Sequence, residues 1–355
     1  MGVKEVVERH LSSWMKEEGP EGDAVLSSRI RLARNLVELP FPRLAQEEYL
    51  KRAFNAIRQA TENAALEGLG ELHFLSLAET PPLERSVLVE KHLISPEEAS
   101  DVRYKGVILT EDETVSIMVN EEDHLRIQSI RAGLNLESAW ETANRLDDFY
   151  ESRLEIAFSE KRGYLTACPT NVGTGLRASV MLHLPGLAMT DQVRRLVAAS
   201  GQLGLAVRGL FGEGSEAAGN IFQISNQLTL GHTEEEIVQH LTAVAKQIVQ
   251  QEREARRAVQ EQARLKLEDR IGRAFGLLAN ARQMTASEAI QLLSELRLGV
   301  VLGLVKGLSL KAVNELMVAI RPSVLQKIMG RELEPEERDI HRAALLRECL
   351  AGAST

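Results

Sequence analysis

The chain has 355 residues and a formal net charge of −9 at pH 7, and only 4% of its residues are aromatic. This length is typical of about two domains of roughly 150 residues each. An acidic chain with so few aromatic side chains is a poor candidate for binding nucleic acid or a membrane surface. Its two cysteines, Cys168 and Cys349, lie far apart without metal-ligand spacing. We therefore expect reduced thiols in a cytoplasmic protein and no protein-bound metal.

Helical periodicity marks residues 1–18 and 46–66, and an arginine-rich segment lies between them. That segment, SSRIRLARN at residues 27–35, is predicted to be a strand, whose side chains alternate between two faces. One face carries Ser27, Arg29 and Arg31, and the other carries Ser28, Ile30 and Leu32. Because neighbouring guanidinium groups repel each other unless an anion lies between them, this strand indicates an anion site.

From residue 71 onward, short β-branched or alternating runs follow one another closely and predict strands. They are ELHFLSL (71–77), GVILTED (106–112), TVSIMVN (114–120), HLRIQSI (124–130), ASVMLHLP (178–185) and NIFQISNQL (220–228). Residues 137–158 and 190–202 have helical periodicity. Strands this close together in sequence favour antiparallel pairing. The sequence therefore predicts an α+β fold, with helices packed on an antiparallel sheet.

A charged amphipathic segment near residue 232 predicts one long helix over 232–270, with Thr233 and Glu236 spaced as a capping box at its start. Shorter helices, interrupted by glycines and prolines, follow to residue 355. We predict two domains, residues 1–255 and an all-α region at 256–355.

The segment NEEDHLRIQS, residues 120–129, places four polar side chains at 121–124 and an arginine at 126. A charged surface turn is the simplest interpretation. The functional alternative is a pair of carboxylates that accepts protons or orients a cationic substrate. A metal site is disfavoured, because loops that bind hard cations space their oxygen ligands more widely.

Two further segments combine glycines with chemically capable groups. CPTNVGTGLRAS (168–179) contains Cys168 and Arg177, and VRGLFGEGSEAAGN (207–220) contains Glu213 between two glycines. Cys168 is either a small buried thiol or a thiolate facing a cation. The second segment is either an ordinary solvent loop or a mobile loop that closes on a ligand. Since the sequence contains no Walker motif, a nucleotide phosphate site would depend on arginines.

These segments, in this order, resemble the signatures of the ATP:guanidino phosphotransferases, the family of creatine and arginine kinases. The resemblance covers roughly residues 25–235 and implies a kinase that uses ATP and Mg²⁺, with arginines neutralising the charge of the transferred phosphoryl group. It implies that ATP is bound by Ser27, Ser28, Arg29, Ile30, Arg31, His92, Arg126, Arg177, Ala178, Ser179, Val180, Met181, Arg208, Gly209 and Gly212. His92 would lie near the adenine, where Met181 replaces a second histidine of the arginine kinases.

The resemblance also implies three catalytic residues, Glu122, Glu213 and Cys168. A guanidinium has a pKa of roughly 12.5–13.8, so it is protonated and a poor nucleophile at pH 7. Two carboxylates and a thiolate around it would bind its N–H groups and withdraw a proton as the phosphoryl group is transferred.

Two departures from creatine and arginine kinases resemble the McsB family of bacterial protein-arginine kinases. The first arginine signature comes at residue 29, without the preceding helical domain that encloses a small substrate, and a helical extension follows residue 255. The resemblance implies that the substrates are proteins with accessible arginines, marked for the ClpC–ClpP protease in stress-response control. It further implies an activator, a ClpC-type partner and a homo-oligomer.

The helical extension contains RDIHRA, residues 338–343, which matches the R-D-x-x-R-A motif that binds phosphoarginine in that family. Arg338 and Arg342 lie four residues apart on one helix face, where like charges cost a few tenths of a kcal/mol. A solvated charged face is one interpretation. The resemblance favours the other, in which the arginines bind a phosphate and Asp339 binds the guanidinium of a phosphoarginine.

Three functional hypotheses follow. The leading one is a kinase that phosphorylates arginine side chains in proteins. The second is a phosphagen kinase for free arginine, and the third is a non-catalytic adaptor that reads phosphoarginine. The first is favoured by the complete catalytic set together with the missing domain that encloses a small substrate.

Overall fold

The computed structural model describes residues 7, 10–209 and 218–355, and an eight-stranded antiparallel sheet lies at its centre. The sheet order is β11-β12-β10-β1-β7-β6-β5-β4. The strands are β1 Val25–Arg34, β2 Ala65–Leu66, β3 Gly70–Glu71, β4 His73–Ser76, β5 Gly106–Leu109, β6 Val115–Val119, β7 Leu125–Ala132, β8 Phe158–Ser159, β9 Gly163–Tyr164, β10 Leu176–His183, β11 Leu205–Gly209 and β12 Ile221–Asn226. The pairs β2–β3 and β8–β9 form two small separate sheets.

The helices flank this sheet and continue beyond it to the C-terminus. They are α1 Ser13–Lys16, α2 Glu47–Thr61, α3 Pro82–Glu90, α4 Pro96–Ser100, α5 Leu136–Glu151, α6 Pro185–Met189, α7 Val193–Gln202, α8 Glu234–Gln262, α9 Arg264–Asn280, α10 Ala286–Val301, α11 Leu310–Ala319, α12 Pro322–Met329 and α13 Pro335–Cys349. The predicted α+β class, an antiparallel sheet with helices and an all-α C-terminal region, is confirmed.

Every segment predicted as a strand contains one, but some predicted helices are shorter than expected. Of the helix predicted over 1–18, residues 1–6, 8 and 9 lie outside the described residues, and the described part is helical only at residue 7 and at Ser13–Lys16. The helix predicted over 46–66 ends at Thr61, and residues 65–66 form β2. Asn63 nearby has a φ of 54°, in the left-handed region that terminates helices. The helix predicted over 137–158 ends at Glu151, because the chain then turns back into the hairpin of β8 and β9.

Alternation along β1 divides its side chains as predicted. Ile30 and Leu32 are fully buried in a hydrophobic core with α5 and α8, on one face of the sheet. Arg29 and Arg31 project from the opposite face and line its cavities. The hydrophobic effect fixes this register, since a slip by one residue would bury both arginines in the core.

The prediction of one long helix over 232–270 is wrong. The helix begins with the expected capping box, in which Glu236 N donates to Thr233 Oγ1 at 3.2 Å and Thr233 N donates to Glu236 Oε2 at 3.0 Å. It breaks at Ala263, because the apolar face of α8 packs on the sheet whereas α9 packs in a second core among the C-terminal helices. The predicted boundary at 255 lies within α8 and stays a prediction. Within the described residues, no helix combines the length and apolarity needed to cross a membrane.

Buried arginines fasten the C-terminal helices to the sheet. Arg297 on α10 is fully buried and donates to Gly22 O at 2.7 Å, to Asp23 O at 2.9 Å and to His183 Nδ1 at 3.0 Å. Since these acceptors precede β1 or end β10, the helices are held directly against the sheet face that carries Arg29 and Arg31.

His183 should make stability depend on pH. Burial, together with Arg297 and Arg256, holds the pKa of His183 well below its ordinary value of 6.5. Below about pH 6.5 the unfolded chain therefore binds a proton that the folded chain does not. The free energy of unfolding should fall with decreasing pH by about 1.4 kcal/mol per pH unit for this one histidine.

Urea unfolding at about pH 7 and about pH 5.5 tests this. Between these two pH values the unfolding free energy should fall less in the His183→Gln variant than in wild type. The difference should equal the contribution of the one proton that the unfolded wild-type chain binds at His183. The matched variant His240→Gln, at an exposed position, should keep the wild-type dependence. An unchanged dependence in His183→Gln would contradict the prediction.

Candidate active site

Five arginines gather on one face of the sheet because adjacent strands align them. In the β1–β10 register Arg31 lies opposite Arg177, and in the β1–β7 register Ala33 lies opposite Arg126. A cavity of about 260 Å³ is lined by Arg29, Arg31, Arg126, Arg177, Arg208, Gly209 and Gln223. The structure thus brings together all five arginines that the sequence singled out.

The electrostatics of this cluster favour a bound anion. Burial and the neighbouring Arg126 and Arg177 lower the pKa of Arg29 to about 10, and burial with the same kind of like-charge contacts holds the pKa of Arg31 well below its ordinary value. Arg29 also donates to Gln223 Oε1 at 2.7 Å. Guanidinium groups crowded this closely repel one another, so an anion with several negative oxygens would relieve an existing strain.

Two carboxylates of the NEED segment border the cluster. Arg126 Nη1 lies 2.9 Å from Glu121 Oε2 and 3.4 Å from Glu122 Oε2. Burial would raise the pKa of Glu121, but Arg126 and a hydrogen bond with Ser95 outweigh it and lower that pKa. The less tightly paired Glu122 is one-fifth exposed, with Arg43 Nη2 at 4.0 Å from its other oxygen. Glu122 is therefore the carboxylate with room to meet an incoming cation.

The flanking residues of the segment are fixed by internal hydrogen bonds. Asn120 Nδ2 donates to Leu50 O at 2.9 Å and to Tyr104 O at 2.7 Å. The buried Asp123 carboxylate accepts from Asn35 Nδ2 at 2.6 Å and from Ala167 N at 2.7 Å. These contacts fix the backbone of the turn. Glu121 and Glu122, which lie between the two anchored residues, are therefore held in position before any substrate binds.

Cys168 lies beside the arginine cluster. The Cys168 side chain is partly exposed, with Sγ 3.0 Å from Thr170 Oγ1. Burial, Arg208 and Arg126 lower the pKa of Arg177, while Cys168 and Glu122 act to raise it, so the thiol and the carboxylate both lie within electrostatic reach of this guanidinium. The predicted Glu213 and Gly212 lie outside the described residues.

A larger cavity, of about 640 Å³, shares Arg29, Arg31 and Arg126 with the arginine cluster and extends to His92. Its volume is within the range of small-molecule sites. His92 has a φ of 61°, unfavourable for a residue with a Cβ, and its backbone oxygen accepts from Gln128 Nε2 at 2.8 Å.

Some residues predicted to bind ATP lie on the core face of the sheet. Their side chains face away from the arginines, so they could reach a ligand only through the strand backbone. They are Ser28, Ile30, Ala178 and Val180. Ser179 and Met181 lie on the arginine face, where Ser179 Oγ is 3.4 Å from Arg29 Nε. Ser27 is buried at the start of the same strand. Their roles in binding stay predictions.

The RDIHRA residues lie on α13, away from the arginine cluster. Arg342 is almost fully buried and donates to Ile320 O and Met284 O, each at 2.8 Å, and to Asp339 Oδ1 at 2.5 Å. Arg338 is half-buried and donates to Leu333 O at 3.3 Å. In this arrangement Asp339 is bound to Arg342, so the predicted phosphoarginine pocket stays a prediction.

Among the described residues, no group of three or more His, Cys, Asp and Glu side chains is placed to hold a metal ion. The acidic groups near the site are paired with arginines.

Two site residues were missed by the sequence analysis. Gln223, which orients Arg29, lies in a predicted strand as a polar residue between apolar ones, and that alternation was the available signal. Arg321 lines the large cavity from the C-terminal helices, with Nη1 at 3.2 Å from His92 Nε2. No local pattern marks Arg321, because only the packing of distant helices brings it to the site.

Comparison with known proteins agrees with this geometry. The model of the ATP:guanido phosphotransferase C-terminal catalytic domain matches residues 52–255, and that of the protein-arginine kinase McsB C-terminal domain matches residues 264–355. Among solved structures, lombricine kinase is similar with a TM-score of 0.58 and 28% identity, over 68% of this chain and 69% of that one. The duplicated taurocyamine kinase of Schistosoma mansoni is similar with a TM-score of 0.59 and 26% identity, over 66% of this chain and 34% of that one.

Curated relatives match nearly the whole chain. The protein-arginine kinase of Symbiobacterium thermophilum is 53% identical over 352 residues, covering 99% of this chain and 100% of that protein. The protein-arginine kinase of Bacillus subtilis is 50% identical over 350 residues, covering 99% of this chain and 96% of that protein. The predicted family is thereby confirmed: the chain belongs to the protein-arginine kinase family of ATP:guanido phosphotransferase enzymes.

Proposed function

We propose that this protein transfers the γ-phosphoryl group of ATP to arginine side chains of proteins. The observation that carries the proposal is the position of Glu122, whose Oε2 lies 3.4 Å from Arg126 Nη1 at the edge of the five-arginine cluster. A carboxylate that attracts a cationic guanidinium thus borders a surface that attracts a polyphosphate. This is the pairing that guanidinium phosphorylation requires.

The arginines would bind the nucleotide and stabilise the transferring group. Phosphoryl transfer spreads negative charge over the equatorial oxygens of phosphorus, and preorganised guanidinium groups neutralise it. Mg²⁺ bound to the phosphates would supply further charge neutralisation. Because Arg29, Arg31 and Arg177 are already held by burial and strand register, little reorganisation is needed when the nucleotide binds.

Glu122 would orient the acceptor guanidinium and take its proton. The acceptor nitrogen becomes nucleophilic only as that proton leaves, and a carboxylate in hydrogen-bond reach accelerates such a step by about 10²–10⁴-fold. Cys168 and Glu213 would bind the remaining N–H groups. The nitrogen–phosphorus bond then forms as the bond between the γ-phosphorus and the bridging oxygen breaks, leaving ADP.

We further propose that phosphoarginine marks the modified proteins for degradation by ClpC–ClpP as part of stress-response control in the cytoplasm. The resemblance of the sequence to the McsB family is the basis for three further proposals: a ClpC-type partner, an activator and self-association. Feedback of phosphoarginine on the kinase would use Arg338, Asp339 and Arg342. Its support is the hydrogen bond from Arg342 to Ile320 O, a residue that also lines the large cavity.

One incubation with Mg-ATP, divided between free L-arginine and an unfolded arginine-containing protein, tests the activity. We expect acid-labile phosphate on arginines of the protein, located by mass spectrometry under neutral handling. Label on free arginine alone would instead indicate a phosphagen kinase. If neither acceptor is labelled, even with an activator present, the protein would act as a non-catalytic reader of phosphoarginine.

A further inference from the structure

The large cavity is closed on one side by the C-terminal helices. Lining residues from this region are Ser287 and Ile290 of α10, Met317 of α11, and Ile320, Arg321 and Pro322 at the start of α12. Arg29, Arg31 and Arg126 line the same cavity from the sheet. One continuous space therefore joins the arginine cluster to the helical region.

We propose that this wall binds the adenosine half of ATP, so that the C-terminal helices form part of the nucleotide site. The inference rests on the proposed function only in taking ATP as the donor. Its first support is that the cavity has a charged part and an apolar part. The arginines suit the polyphosphate, and the wall beyond them is largely apolar.

Ile290, Met317 and Ile320 are 6%, 5% and 1% exposed and face the cavity, as does the buried Met118 of β6. Nucleotide bases bind in clefts of this kind, where apolar side chains cover the flat ring and a few polar groups fix its orientation. Methionine is well suited to such a surface because its flexible thioether adapts to a ring face.

The second support is a polar pair in the same cavity. Arginine has no acceptor, so the 3.2 Å contact between Arg321 and His92 Nε2 requires Nε2 to accept. Burial, Arg321 and Arg29 hold the pKa of His92 well below its ordinary value, so the ring is neutral and its proton lies on Nδ1. Arg321 therefore positions His92 to present an N–H donor to the ribose or the base.

The third support is that this wall is rigidly joined to the sheet side of the cavity. Arg321 donates to Glu90 O, and the Glu90 carboxylate accepts from Ser323 N and Val324 N at 2.9 and 2.8 Å. Glu90 thus caps the N-terminus of α12. Since Glu90 ends α3 just before His92, the cap keeps the histidine and the wall in fixed register before any nucleotide binds.

Two probes separate the halves of the site. ATP uses both the arginines and the wall, whereas inorganic tripolyphosphate carries the phosphates alone. Calorimetric binding to the full-length chain, with Mg²⁺ present, is compared for wild type, Arg321→Met and Ser287→Phe. We expect ATP binding about tenfold or more weaker in both variants, which corresponds to ~1.4 kcal/mol, with tripolyphosphate binding unchanged.

Ser287→Phe keeps the test decisive if Arg321→Met does not fold, because Ser287 is exposed and its substitution adds bulk to the cavity mouth. The matched control Arg273→Met lies on α9 with a side chain 77% exposed, and it should bind both probes as wild type does. In turnover with a protein acceptor, Arg321→Met should raise KM for ATP and leave kcat unchanged.

Wild-type ATP affinity in both variants would overturn the inference. An equal loss for ATP and tripolyphosphate would also overturn it, because the substitutions would then disturb the arginine cluster itself. Failure of the proposed function would give a different result. The wild-type chain would then bind ATP, the two variants would bind it more weakly, and no arginine would be phosphorylated.

Discussion

Replacing Glu122 with glutamine should abolish most phosphoryl transfer while leaving nucleotide binding intact. The amide keeps the size of the side chain but cannot accept a proton, so kcat should fall by about 10²–10⁴-fold, the contribution typical of a general base. ATP affinity should stay near that of wild type, because Arg126 keeps its shorter contact with Glu121 at 2.9 Å. Radiolabel transfer to a protein acceptor and calorimetry of ATP binding measure the two quantities.

The matched control is Glu62→Gln, an exposed carboxylate just after α2, which should have wild-type turnover. If Glu122→Gln turns over at the wild-type rate, the base is another group, and Cys168 and Glu213 become the candidates to test. If ATP binding is lost together with turnover, Glu122 acts by positioning Arg126 rather than by taking a proton.

The catalytic sheet was predictable because its signals are local. Alternation in β1 and the short apolar runs from residue 71 onward depend only on side chains a few positions apart, and burial of one face fixes the register. The family segments then assigned the five arginines to one site. The structure explains how that site is assembled, through the alignment of Arg31 with Arg177 and of Ala33 with Arg126.

The remaining features depend on contacts between distant parts of the chain. Ala263 could continue a helix, and the break there follows from the different cores that α8 and α9 join. Arg321 is separated from its partner His92 by more than two hundred residues. Arg342 has the spacing of a surface pair, yet it is buried because Met284 and Ile320 offer it backbone oxygens. Sequence periodicity carries no information about such pairings.

The third arginine of SSRIRLARN has a role opposite to that of the first two, which alternation along the strand explains. Arg34 has the parity of Ile30 and Leu32 and is 1% exposed. Its Nη2 lies 2.6 Å from Asp147 Oδ2, and its Nη1 donates to Thr174 O at 2.9 Å. A Cβ on Gly175 would lie 2.6 Å from that same Nη1, so the glycine leaves room for it. Arg34 therefore stabilises the fold on the core face of the sheet rather than binding a ligand.

This difference predicts opposite results for two substitutions in one strand. Arg34→Met should lower the free energy of unfolding by about 3–5 kcal/mol, because it leaves the buried Asp147 carboxylate without its partner. The double variant Arg34→Met/Asp147→Leu should recover most of that loss, since the buried carboxylate is gone. Among the described residues, the only ion-pair partner left behind is the partly exposed Glu234, 3.5 Å from Arg34 Nη2 in the wild type. The exposed control Arg264→Met, with a side chain 75% exposed, should change stability by less than about 0.5 kcal/mol.

Arg31→Met should leave stability unchanged or raise it, and should abolish most ATP binding. Arg31 Nε has no hydrogen-bond partner among the described residues, and its charge is repelled by Arg29, Arg126 and Arg177. Removing that charge relieves repulsion in the free protein and takes away a ligand for the phosphates. Urea unfolding and ATP calorimetry on the same preparations measure both effects. A large stability loss in Arg31→Met with retained ATP binding would mean that the arginines on this face serve the fold rather than the anion.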